Sequence, residues 1–90
     1  MMKAAEPVKL VECDDEGLPT LIGKSVMVWC MNYIYAGTLE GVNKTCIKLN
    51  PAFVVYETGV LTEKKFKDAQ QLPKPAYVNL DAIEMYSERE

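Results

Sequence analysis

The chain has 90 residues, a net charge of −3 and a hydrophobic fraction of 49%; these fit one small globular domain spanning residues 1–90 and argue against a disordered chain. The acidic total gives no general attraction to nucleic acid or to anionic membranes, so any polyanion site must come from local clustering of charge. With 3 cysteines and no histidine, the commonest general base and metal ligand is missing, which weighs against an enzyme and against zinc.

Residues 1–6 read as a frayed end. Val8, Leu10, Val11 and Cys13 fit either a short strand or one helical turn, since periodicity cannot arbitrate over so short a run. Asp14, Asp15, Glu16 and Gly17 read as a solvated acidic turn, because a calcium loop spreads its ligands over about twelve residues. Leu18 to Ile22 fits a short helix with Pro19 in its first turn, or an extended lead-in. Gly23-Lys24-Ser25 is one residue out of step with Gly17 for a phosphate loop, and strand formers rather than a helix follow it.

The first strand is expected over residues 25–31. Val26, Val28 and Cys30 fall on one face, and Met27, Trp29 and Met31 on the other. One face can line a core; the other needs cover from the N-terminal segment or a neighbouring subunit. Asn32 and Tyr33 make the turn. A second strand follows over residues 34–42, interrupted by Gly37 and Gly41. Glycine inside a strand marks a bulge, a hard bend or a close backbone approach. Asn43, Lys44 and Thr45 supply a tight polar turn.

The third strand is long, residues 46–56, with Pro51 in its middle at a bend, bulge or edge. Phe53 and Val55 share a face, as do Val54 and Tyr56. Residues 58–75 form a long insertion. Within it, 62–72 fits either a short helix capped by Thr62, with Phe66 and Ala69 facing inward, or a hairpin arm extending the third strand. Lys64, Lys65, Lys67 and Lys74 make the insertion locally positive, which a solvated loop face explains and a phosphate-contacting patch would also use. Two short strands around residues 77–78 and 82–86 complete the chain. Cys13, Cys30 and Cys46 lack C-x-x-C spacing and read as small hydrophobes. No apolar run reaches membrane-spanning length and no signal-peptide core is visible, so a cytoplasmic location with no membrane contact is expected.

Gly37-x-Leu39, the polar turn at Asn43 and Ile47-x-Leu49 together resemble the first motif of the Sm, LSm and Hfq family. Gly23 to Val28 is similar to that family's entry into its first strand. Residues 77–83 look like a degenerate second motif. The turn at Asn43 is one residue shorter than in typical Sm proteins and nearer the Hfq length. Leu80-Asp81 stands where Sm proteins have Arg-Gly and Hfq has Lys-His.

This resemblance implies an all-β fold: a small, strongly bent, five-stranded antiparallel barrel. It also implies a homo-oligomeric ring of roughly five to seven copies, closed head to tail. Tyr77, Val78, Ile83 and Met85 are the interface candidates. Asn43, Lys44, Thr45 and Asp81 are the candidate contacts to single-stranded nucleic acid, RNA before DNA. No cofactor or metal is expected. The alternative function is a ring that serves only as a scaffold or adaptor.

Overall fold

The computed structural model describes residues 17–89, so the expectations for residues 1–16 lie outside the described residues. Six strands occur in the order β1 (Ser25–Cys30), β2 (Ile34–Val42), β3 (Cys46–Glu57), β4 (Asp68–Gln71), β5 (Ala76–Asn79) and β6 (Ile83–Glu88). Two short 3-10 turns flank them, Leu18–Leu21 before β1 and Leu80–Ala82 between β5 and β6. Of the two readings for residues 18–22, the helical one holds as a single 3-10 turn with Pro19 at its start. No helix among the described residues is long and apolar enough to cross a membrane.

All strand pairs are antiparallel, in the order β4-β3-β2-β1-β6, with β5 also on β3. The expectation of five strands is corrected to six. The extra strand is β4, from the insertion, so the hairpin arm and not the helix is the outcome for residues 62–72. The sheet does not close, because β5 and β6 make no ladder with one another.

Both faces of β1 are buried, for the alternation read above. Val26 and Val28 join Leu39, Ile47, Leu49, Ala52 and Val78 in the main core, against which Leu18 and Leu21 pack. Met27 joins Ala36 and Val55 in a second core, with Trp29, Ile34, Phe53 and Phe66 packed around it. The second face was expected to need an N-terminal segment or a subunit. Among the described residues its cover is Phe66, carried over by the insertion. Arg89 stacks on that ring at 3.9 Å and donates to the Lys64 carbonyl.

Leu39 and Val42 both reach the main core although they are three apart. Strand alternation forbids this unless an extra residue intervenes, and the β2–β3 register shifts between Leu39 and Gly41. Ile47, Leu49 and Ala52 show the same offset across Asn50 and Pro51. Pro51, joined to Asn50 by a cis peptide bond, sits where the outer edge of β3 changes partner. That edge pairs with β5 from Cys46 to Leu49 and with β4 from Phe53 to Glu57. A residue without an N–H is tolerated in the gap between two ladders.

Candidate nucleic-acid interface

The turn after β2 is organised by one side chain. The Asn43 Oδ1 accepts from the Thr45 N–H at 2.8 Å, the Cys46 N–H at 2.9 Å and the Thr45 hydroxyl at 3.1 Å. The Asn43 N–H closes the hairpin onto the Cys46 carbonyl at 3.0 Å. This is the asparagine turn chemistry that the residue type favours. It also commits the oxygen that a base edge would use, leaving the amide NH2 as the hydrogen-bonding group of Asn43 that can face outward.

The second candidate segment docks on this turn. The Leu80 N–H donates to the Thr45 carbonyl at 2.9 Å. Lys44, Thr45, Asn79, Asp81 and Ala82 thus line one cleft of about 400 Å³. Three of the four predicted contacts, Lys44, Thr45 and Asp81, share this cleft, and Asn43 does not line it but organises the turn that carries two of them. Asn79 and Ala82 belong to the same cleft and were not singled out from sequence; only the 3-10 turn following β5 brings them there. Lys44 and Asp81 give the cleft one charge of each sign. The lysines at 64, 65 and 67 lie at the opposite end of the 12-residue strand β3 and do not join it. Lys67 is 3.4 Å from Glu57.

Tyr33 does not enter the cleft of Lys44. It lines an adjoining one with Tyr35 and Tyr77, and the two clefts meet along Asn79, Asp81 and Ala82. The interface candidates divide in two. Tyr77 and Met85 are exposed, at 66% and 51%. Val78 points into the main core and Ile83 packs against it, so these two offer only backbone at their strand edges. Among the described residues, β5 pairs only with β3 and β6 only with β1. Each therefore keeps one unpaired edge.

A polar group lies on the outer face beside β5. Glu40 is 2.7 Å from the Lys48 Nζ and accepts from the Asn50 Nδ2 at 2.9 Å. The hydrogen bond from Lys48, then that from Asn50, holds the Glu40 carboxyl below its ordinary value. The same contact, through hydrogen bond and charge, raises Lys48. Cys30 and Cys46 are free thiols, both half-buried. Burial first, and the negative charge of Glu84 second, push the Cys30 thiol up, the opposite of what a nucleophile requires. Among the described residues no cluster of three metal-ligating side chains gathers.

Comparison with known proteins finds no matching family model, no matching curated protein and no matching solved structure.

Proposed function

We propose that this chain is a ring-forming, Sm-like module that contacts single-stranded nucleic acid, RNA before DNA, through the surface made by residues 43–45 and 79–82. The observation that carries this reading is the Leu80 N–H to Thr45 carbonyl bond at 2.9 Å, which joins two segments distant in sequence into one polar cleft with Lys44 at its edge. The order β6-β1-β2-β3-β5 along the sheet and the edges at its ends that lack a partner among the described residues support head-to-tail assembly, because raw edges pair with whatever complementary edge they meet. A ring repeats one modest site around a circle, so weak contacts add along a strand that spans several copies.

Lys44 neutralises phosphate and makes binding salt-dependent. Asp81 accepts from a base amino group or, failing that, repels the backbone. With a single cation and a committed Asn43 oxygen, binding is weak and salt-sensitive rather than tight and sequence-specific. The test is electrophoretic binding of oligo-U, oligo-A and single-stranded DNA at low salt, with Lys44→Glu beside the wild type. The variant should lose binding at unchanged melting temperature. Unchanged binding by the variant moves the site away from the cleft.

The second reading is a scaffold without nucleic acid. It is favoured by the use of the Asn43 oxygen inside its own turn and by Asp81 beside Lys44. Absence of binding to every oligonucleotide at low salt puts that reading first.

A further inference from the structure

The cleft that adjoins the Lys44 site is different in chemistry. Its volume is about 760 Å³, and it runs between the β1–β2 turn, the strand β5 and the start of β6. Tyr33 and Tyr35 form one wall, their ring centroids 6.3 Å apart and tilted by 45°. Asp81 and Glu84 supply two carboxylates, and among the described residues no lysine or arginine lines it. Cys30 and Val78 give it an apolar floor. Glu84 and Cys30 line the same cleft.

Aromatic faces and carboxylates without a compensating cation select for positive charge. The ring quadrupole attracts a cation over its face, and a guanidinium or ammonium satisfies the acids. Tyr77 already has the Lys48 Nζ 5.9 Å from its ring centroid, which leaves Tyr33 and Tyr35 as the rings of this cleft to receive a further cation. The same carboxylates repel phosphate, so a nucleic-acid backbone is disfavoured in this cleft. Ala76 to Asn79 of β5 line it, and among the described residues the edge of β5 away from β3 has no partner strand. An edge of that kind takes an extended chain by main-chain hydrogen bonds, with flanking pockets choosing the side chains.

We propose that this cleft is a binding site for an extended basic peptide of a partner protein, laid along the free edge of β5 with an arginine or lysine side chain seated between Tyr33 and the carboxylates of Asp81 and Glu84. This goes beyond the nucleic-acid reading and does not depend on it. In the proposed ring, β6 of the next copy would use the same edge. That strand carries Glu84 and Glu88, so ring closure and a basic peptide are alternative uses of one edge, and light scattering of the peptide mixtures reads which of them prevails.

The experiment is fluorescence anisotropy of three labelled seven-residue peptides alternating valine with arginine, lysine or glutamate, with light scattering of the same mixtures. An oligo-A arm is run in parallel. The arginine and lysine peptides should bind, the glutamate peptide should not, and the difference between the first two reports whether the planar guanidinium is preferred. Glu84→Lys and Tyr33→Ala, both at exposed positions, should each weaken binding about tenfold or more. Glu57→Gln, a carboxylate far along β3, should leave it unchanged. Equal binding of the arginine and glutamate peptides, or full affinity in Glu84→Lys, overturns the proposal. So does an oligo-A that binds, strengthens on Glu84→Lys and finds no peptide competitor, which assigns the cleft to nucleic acid instead. A wild type that is monomeric yet binds the arginine peptide defeats the ring and leaves this site standing.

Discussion

Gly37 lies directly against Pro51: a Cβ built on the glycine would overlap the Pro51 carbonyl oxygen and stand 3.3 Å from the Ala52 Cα. The contact joins the bend of β2 to the bend of β3, where Gly37 is paired with Ala52. The obstacle is backbone rather than a flexible side chain, so relief requires moving one strand away from the other. We expect Gly37→Ala, and still more Gly37→Val, to destabilise the fold by about 3 kcal/mol or more. A thermal melt of Gly37→Val that matches the wild type would show that β2 and β3 do not approach as described.

Phe66 is the insertion's contribution to the second core, and Arg89 covers its ring from the other end of the chain. The ring is half-buried, so Phe66→Ala should cost less than a fully buried aromatic, about 1–3 kcal/mol in chemical denaturation. Arg89→Ala removes only the stacked cation and the bond to the Lys64 carbonyl, and should cost no more than about 1 kcal/mol. Amide exchange at Asp68 to Gln71 should quicken in both variants, because the short strand β4 is held at one edge only.

The acid limb of stability should carry the signature of Glu40. Its folded-state carboxyl sits below the ordinary value because Lys48 and Asn50 donate to it. The unfolded state then binds more protons through the carboxylate range, so stability rises with pH there. This contribution is complete above the unfolded value and is lost as the pH falls through the folded one. Melting temperatures from about pH 6 down to about pH 3 should fall less steeply in Glu40→Gln than in the wild type. Identical slopes would mean that the exposed pair is screened to nothing, as surface pairs can be.

Assembly should respond to Met85. It is exposed on β6 beside an edge that has no partner strand among the described residues, and the proposed ring buries it against β5 of the next copy. Light scattering of the wild type at micromolar concentration should give a closed ring, and Met85→Lys a folded monomer with a melting temperature lowered by the lost ring contact, since a charged edge resists pairing. A monomeric wild type removes the ring from the proposed function.

The bent β2–β3 hairpin was legible in the chain because its causes are local. Gly37 and Gly41 mark the bends, Ile47 and Leu49 alternate into one core, and Asn43 chooses the turn by its own side-chain oxygen. The two apolar faces of β1 could be read from the same period of two. Other features depended on partners far away in sequence. Residues 62–72 carried both a helical and a hairpin reading, and pairing of residues 68–71 with β3 decided between them by satisfying backbone groups that a surface helix would have left to β3's solvent edge. Phe66 faced inward only in the helical reading, together with Ala69, which the strand leaves exposed; the core that Phe66 covers was not legible. Asn43 was legible as a turn former, but not that its oxygen takes three bonds within the turn, and Tyr33 could not be placed against Tyr35, Tyr77 or Glu84 until β5 and β6 were brought beside the β1–β2 turn. Turn chemistry and strand alternation act within a few residues and are written in the chain, whereas the composition of a cleft depends on long-range pairing, which only the folded sheet decides.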